Sequence, residues 1–238
     1  MTRLLSAANR YSIGAKKRQM AKVSIDSELK AKCPRVALAY VTAGVETVAT
    51  PEGLDQELRA CEEKILRLAE PKAVLESAAI MATRAAYRAL GKDPARYRGA
   101  AEALLRRVIA GKGLPRINNV VDVINYVSVE SRLSAGLYDL ARVEGDIVFR
   151  AGRAGETYKG IGKYDLNLEG LPVFCDSLGP HGSPTSDSER TMVTETTKKI
   201  VVLIISFGVA DGLERWAERV CLQLKQYASG GNIEAWVV

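Results

Sequence analysis

Residues 118–139, NNVVDVINYVSVESRLSAGLYD, limit what the chain can fold into more than any other stretch. Val120, Val121, Ile124 and Val127 recur at spacings of three and four, the period of a buried helical face. Asn118, Asp122, Asn125 and Arg132 recur on another face, with Asn119 and Tyr126 close beside them. β-Branched residues and asparagine each lower helix propensity by a few tenths of a kcal/mol, roughly. The spacing therefore predicts a helix that needs tertiary packing to hold it. Its Asn, Asp and Asn either satisfy buried backbone groups or face a ligand, and spacing does not choose between the two.

The apolar and charged fractions are those of an ordinary globular chain long enough to bury a core. Residues 200–209 form the longest apolar run, well short of the roughly 20 residues a bilayer demands, so no membrane partner is expected. The formal charge of +6 is concentrated near the start. Arg3, Arg10, Lys16, Lys17, Arg18 and Lys22 meet no acidic residue before Asp26, which leaves 28 basic against 28 acidic residues in the remainder. Residues 1–22 are expected to be a basic, disordered tail, or a targeting segment, and residues 23–238 a single domain. Cys33, Cys61, Cys175 and Cys221 are far apart, and His181 is the only histidine. No metal-ligand spacing or cofactor motif is present, which points to a reduced, cytoplasmic protein without cofactor.

Strands are predicted at 23–25, 36–40, 136–140, 146–150, 171–175, 199–207 and 233–238, with 199–207 lying centrally in a sheet. Helices are predicted at 54–68, from Pro71 to about Leu90, after Asp93-Pro94, and over 100–109. Asp211-x-x-Glu214 resembles a capping box opening a last helix. A helical first half feeding a sheet-rich second half makes a mixed α/β chain. The arginines of 84–107 read as solvated helix faces in preference to a phosphate-facing surface.

A second polar cluster occupies residues 179–191, GPHGSPTSDSERT. Ser186-x-x-Glu189 fits a capping box, yet Ser183, Thr185, Ser186, Asp187, Ser188, Glu189, Arg190 and Thr191 exceed what one helix end requires. The chain has no nucleophile elbow, no P-loop and no dinucleotide fingerprint. Serine or cysteine catalysis would have to recruit His181, and nothing in the spacing ties it to a nucleophile. Asp122 and Asp139 could share acid–base work only if the fold brought them together.

The segment Asn119-Val-Val-Asp-Val-Ile-Asn-Tyr-Val127, then Glu130, Tyr138-Asp139-Leu140 and the strand Gly145-Asp-Ile-Val-Phe-Arg150, resembles the B3/B4 domain of the phenylalanyl-tRNA synthetase β subunit. The resemblance covers about residues 116–207 and extends to the Asp176 loop and Thr196-Thr197. The SPTSDSERT loop makes the chain similar to free-standing B3/B4 proteins. That family implies a three-layer domain with a central mixed β-sheet flanked by helices, and an editing module that hydrolyses tyrosine wrongly attached to tRNA. By even counting, the synthetase's histidine falls at Gly136 and its late-strand glutamate near Leu203, two departures from the pattern.

The resemblance implies a cleft formed by the start of the 118 helix, the 136–139 segment and the 183–191 loop. Its expected ligand is tRNA or an aminoacyl-type small molecule, with hydrolysis of a mischarged ester in trans as the possible reaction. Asp187 and Ser188 are the candidate catalytic pair, positioning an ammonium group or a water. Asn119, Asp122, Asn125, Arg132, Asp139, Ser183, Thr185, Ser186, Arg190 and Thr191 are the candidate ligand-binding residues. Among them Arg132 and Arg190 would hold an anionic group. The alternative is a small-molecule-binding or amidohydrolase-like domain with no RNA partner, which the neutral charge balance outside the tail favours.

Overall fold

The computed structural model describes residues 2–3, 22–162, 165–208 and 212–238. In chain order the elements are β1 (Thr2–Arg3), β2 (Val23–Ile25), α1 (Ser27–Lys32), β3 (Ala37–Gly44), α2 (Glu52–Leu66), α3 (Ala78–Ala89), α4 (Ala100–Ile109) and α5 (Asn119–Ser131). There follow β4 (Ala135–Asp139), β5 (Ile147–Ala151), β6 (Thr157–Lys159), β7 (Asp165–Asn167), β8 (Pro172–Asp176), β9 (Gly179–Gly182), β10 (Lys199–Ser206), α6 (Leu213–Tyr227) and β11 (Gly231–Val237).

β10 is the centre. Seven of its eight residues are buried, because both of its faces are covered. Ile200, Val202 and Ile204 pack with α2, α4, α5 and α6. Val201, Leu203 and Ile205 pack on the other side with Phe149 and Phe174 of β5 and β8. The strand lies in a five-stranded sheet of order β1-β11-β3-β10-β4. A four-stranded sheet of order β2-β5-β8-β9 lies against its far face, next to α1 and the end of α3. The class is mixed α/β, as expected. The layering is helices, sheet and second sheet: helices cover one face of the central sheet, and the second sheet covers most of the other. Every described pairing in the five-stranded sheet is antiparallel, and the mixed pairing lies in the smaller one, where β2 runs parallel to β5.

Local chemistry explains where expectation and structure part. Pro71 opens only a short 3-10 turn, Pro71–Glu76; Ser77 is extended, and α3 starts afresh behind it. Asp93-Pro94 opens no helix, because the Asp93 carboxylate accepts from the Ala95 N–H at 2.9 Å and closes a turn. Most of the basic tail and Asp211 of the suggested capping box lie outside the described residues, although Thr2–Arg3 pair with Val237 and Trp236. The described N-cap of α6 is Gly212, with φ 93°. In the 183–191 loop it is Ser188, not Ser186, that caps the 3-10 turn Glu189–Thr191, accepting from the Arg190 N–H at 3.2 Å. The four cysteines are buried and form no disulfide.

Candidate ligand-binding cleft

α5 forms where the pattern placed it. The Asn118 side chain accepts from the Val121 N–H at 2.9 Å, and the helix closes on Arg132 in the left-handed region at φ 65°. Its inward polar groups are structural. Asn119, fully buried, donates to the Glu46 and Tyr227 carbonyls, both at 2.8 Å, and accepts from the Val48 N–H at 2.9 Å. Asp122, also fully buried, accepts from Thr50 Oγ1 and from the Ile117 N–H. Burial pushes the Asp122 carboxyl upward against those two bonds. Both residues thus fasten the start of α5 to the 46–50 loop and to the end of α6. Asn125 is half-buried on the same helix. Asp139 accepts from Thr197 Oγ1 at 2.8 Å and from the Ala141 N–H at 2.9 Å, holding the turn that leads into β10. Asp122 and Asp139 share no partner.

Of the three walls expected for the cleft, only two meet. β4 and the 183–191 loop meet, while the polar groups at the start of α5 are spent elsewhere. Three tyrosines from three elements anchor the loop. Tyr87 of α3 pairs with Thr185 Oγ1 at 2.8 Å. Tyr138 of β4 donates to Asp187 Oδ1 at 2.8 Å. Tyr158 of β6 donates to the Ser186 carbonyl at 2.6 Å. Burial pushes all three phenols above their ordinary range, and Asp187 raises Tyr138 and Tyr158 further, so each remains protonated. The loop also folds on itself. Ser183 Oγ donates to the Ser186 carbonyl at 2.9 Å and accepts from the Thr185 and Ser186 N–H groups. The Ser188 N–H donates to the His181 carbonyl at 3.0 Å, and Thr191 Oγ1 reaches the same carbonyl at 3.3 Å.

Ser183, Ser188 and Thr191 are buried and support the backbone; Thr185, Ser186, Asp187 and Arg190 are half-buried. Arg190 is already committed. Two of its nitrogens hold the Asp176 carboxylate, each at 2.9 Å. Burial acts to raise the Asp176 carboxyl, but Arg190 and the Glu144 N–H outweigh it and leave it below the ordinary range. Arg132 lies elsewhere, with Cys61 and Glu130 as its electrostatic neighbours, so the two arginines do not form one anion clamp.

Behind the loop, Gly136 and Gly182 give Tyr138 its room. A Cβ on either would collide with the phenol, at 2.6 Å from Cζ for Gly136 and 2.5 Å for Gly182. Gly136 and Leu203 are cross-strand partners, so the two departures from the synthetase pattern face one another. The His181 ring stands edge-on to Tyr138, with centroids 4.5 Å apart. It is fully buried, and neither ring nitrogen has a partner, so no Ser–His or Cys–His pair forms among the described residues. Sequence reasoning missed the tyrosines, because the bonds span 98, 49 and 28 residues and no local pattern links their ends.

Two of the anchors give a direct test. Tyr158→Phe and Tyr87→Phe should each lower unfolding stability by about 1 kcal/mol, read by urea titration, because each removes one hydrogen bond that ties the loop to a buried element. Unchanged midpoints would mean that the loop does not depend on them.

The profile of the B3/4 domain matches residues 82–211, more than half of the chain. The chain belongs to the B3/4 domain family. The matched span starts at α3, earlier than the motifs in α5 indicated, and includes β4 and the whole 183–191 loop. Among curated proteins, the phenylalanine–tRNA ligase beta subunit of Rhodopirellula baltica is 36% identical over 127 residues, covering 50% of this chain and 18% of that protein. The corresponding subunit of Brucella abortus is 35% identical over 69 residues, 29% of this chain and 9% of that one. The chain therefore spans less than a fifth of the length of these relatives. A solved N-terminal fragment of the phenylalanyl-tRNA synthetase beta subunit from Pyrococcus horikoshii overlays 94% of this B3/4 domain chain and 52% of its own, with 17% identity and a TM-score of 0.48.

Proposed function

We propose that this B3/4 domain binds tRNA or an aminoacyl-type ligand on the outer side of the 183–191 loop, with Asp187 taking the ligand's ammonium group. The observation that carries the reading is the half-buried Asp187 carboxylate, held by the buried Tyr138 phenol at 2.8 Å, within the segment that matches the family. The Leu137 N–H also approaches Asp187 Oδ2 at 3.5 Å, so β4 holds the carboxylate from two sides, and a carboxylate held in this way makes its stronger bonds to cationic donors. Ser186 precedes it and supplies a hydroxyl group. The names of the curated relatives support an RNA-linked ligand for this family.

Hydrolysis of a mischarged ester in trans is the finer form of this reading, and Asp187 is the residue through which it would run. Ser188 is 4% exposed and its hydroxyl serves as a cap, so it acts on the loop and not on a water. The alternative, a small-molecule domain with no RNA partner, rests on the balance of 28 basic and 28 acidic residues beyond the tail.

Filter binding of aminoacylated and deacylated tRNA separates the readings. The expected result is tighter binding of the aminoacylated form, weakened at least tenfold in Asp187→Ala and scarcely changed in Ser188→Ala. RNA contacts through phosphates would also weaken steeply with salt. Absence of binding at low salt, or binding that vanishes with removal of residues 1–22 alone, would remove tRNA as a partner of the folded body. A panel of mischarged tRNAs with the same two variants tests hydrolysis, and equal rates in Asp187→Ala and native protein would exclude the loop from it.

A further inference from the structure

The 28 basic and 28 acidic residues beyond the tail are not evenly spread. Between Glu76 and Glu102 stand Arg84, Arg88, Lys92, Arg96 and Arg98, with Asp93 as the only acid, which leaves 23 basic against 27 acidic residues elsewhere beyond the tail. Arg84 is spent: it holds the buried Glu102 carboxylate at 3.0 Å, and Arg106 shares that carboxylate at 2.8 Å. The other four make no ion pair among the described residues, and Arg88, Arg96 and Arg98 are exposed. Arg96 and Arg98, expected on a helix face, lie with Lys92 in the link between α3 and α4.

That link is firmly seated. The Arg96 and Tyr97 N–H groups donate to the Asp93 carbonyl at 3.1 and 2.9 Å, and the Ala100 N–H donates to the Pro184 carbonyl at 2.6 Å. Pro184 belongs to the 183–191 loop, so the basic segment abuts the loop directly. Tyr97 packs on the cluster that contains Tyr87 and Tyr158, two of the loop's three anchors. Lys92 Nζ lies 4.9 Å from the Tyr97 ring centroid, and the Arg96 guanidinium carbon lies 5.6 Å from it. One aromatic ring thus holds two cations beside the loop. Lys92 also lines a cavity of about 490 Å³ together with Lys32 and Arg153, opposite Glu28 and Glu169, and none of these five is ion-paired among the described residues. Cations therefore run from the loop through Arg98, Arg96 and Lys92 to Lys32 and Arg153.

We propose that this strip binds the phosphodiester backbone of a single RNA strand whose end lies at the 183–191 loop. An aminoacyl ester terminates an RNA strand, so a group held at Asp187 brings a row of phosphates with it, and the strip that abuts the loop carries the matching charge. Guanidinium groups suit the task, because their bonds to phosphate are charge-assisted and frequently paired. The inference rests on the tRNA reading of the loop and adds to it the path of the strand.

Filter binding of deacylated and aminoacylated tRNA to the full chain, over a series of salt concentrations, tests it. The double variant Arg96→Gln/Arg98→Gln should weaken both forms at least tenfold at low salt, with an unchanged circular dichroism spectrum. It should also flatten the plot of log affinity against log salt by about 0.7 for each lost contact. Arg96→Lys/Arg98→Lys should keep most of the affinity. Arg59→Gln/Arg67→Gln removes the same charge from exposed positions at α2 and should change binding less than twofold. Asp187→Ala separates the two readings, since it should weaken the aminoacylated form alone. If it weakens neither form while the Arg96/Arg98 pair weakens both, the loop reading fails and the strip stands. Native affinity for deacylated tRNA in Arg96→Gln/Arg98→Gln, an equal loss in the α2 pair, or binding of anionic phospholipid vesicles without binding of RNA would overturn the proposal.

Discussion

Lowering the pH from 7 to 4 should cost the folded protein about 3 kcal/mol through His181 alone. The ring is fully buried beside Tyr138 with both nitrogens unpartnered, and burial lowers its pKa from the ordinary 6.5 to about 4. Asp176 opposes that shift and Arg190 reinforces it. Because the folded pKa lies below the unfolded one, the unfolded chain takes up the proton first as pH falls. The contribution is complete above about pH 6.5 and is lost progressively down to about pH 4. Asp176, whose carboxyl lies below the ordinary range, adds its loss only at lower pH, and Asp122, whose carboxyl lies above it, acts in the opposite sense. Urea unfolding at pH 7 and pH 4 isolates the histidine when His181→Leu is measured beside the native chain. The native protein should lose about 3 kcal/mol more than the variant. As the chain has one histidine, proton NMR reads the same pKa from a single imidazole signal. Parallel stability curves and an imidazole titrating near 6.5 would show that the ring is not sealed in as described.

Gly136→Ala and Gly182→Ala should each destabilise the fold by about 3 kcal/mol, toward the upper end of overpacking costs. On an ordinary strand the same change would gain roughly 0.5–1 kcal/mol, because glycine is the costlier residue to order. The sign reverses here because the new methyl group meets the Tyr138 ring at 2.5–2.6 Å, and that ring is itself held by Asp187 and packed against His181 and Phe174. A double-mutant cycle sharpens the point. Measured in a Tyr138→Ala background, the cost of Gly136→Ala should fall close to zero, because the group it collides with is gone. An additive cycle would place the strain elsewhere.

These two expectations concern residues that differ in how far the sequence disclosed them. α5 was legible, because a 3.6-residue apolar period is a local signal; its Asn118 cap emerged only in the structure. So was β10, whose unbroken apolar run requires cover on both faces. The resemblance to the B3/B4 domain of the synthetase β subunit was carried by the same local motifs, and the family match bears it out. The short 3-10 turn at Pro71 and the Asp93 turn were not legible, since each was decided by one backbone or side-chain bond that competes closely with a helix start. The dense polarity of the 183–191 loop was visible, but its meaning was not. Ser183, Ser188 and Thr191 turned out to satisfy the loop's own backbone, and the residues that orient Asp187 and the rest lie far off in sequence. Arg190 was expected to face a ligand, and its bidentate bond to Asp176 spends it on the fold.

Gly136 shows how a departure from a family pattern is read physically. Where the synthetase's histidine falls by counting, this chain places the space that Tyr138 fills, and Tyr138 in turn bonds the half-buried Asp187 of the loop.

The measurement that bears most directly on this account is the affinity of aminoacylated tRNA for the native chain, Asp187→Ala and Tyr138→Phe at low salt. Tyr138→Phe removes only the hydroxyl that fixes the carboxylate, while Asp187→Ala removes the carboxylate itself. The account predicts at least tenfold weaker binding for Asp187→Ala, an intermediate loss for Tyr138→Phe, and little change for deacylated tRNA in any of the three. Equal affinity of all three proteins for the aminoacylated form, or no discrimination between charged and uncharged tRNA, would contradict it.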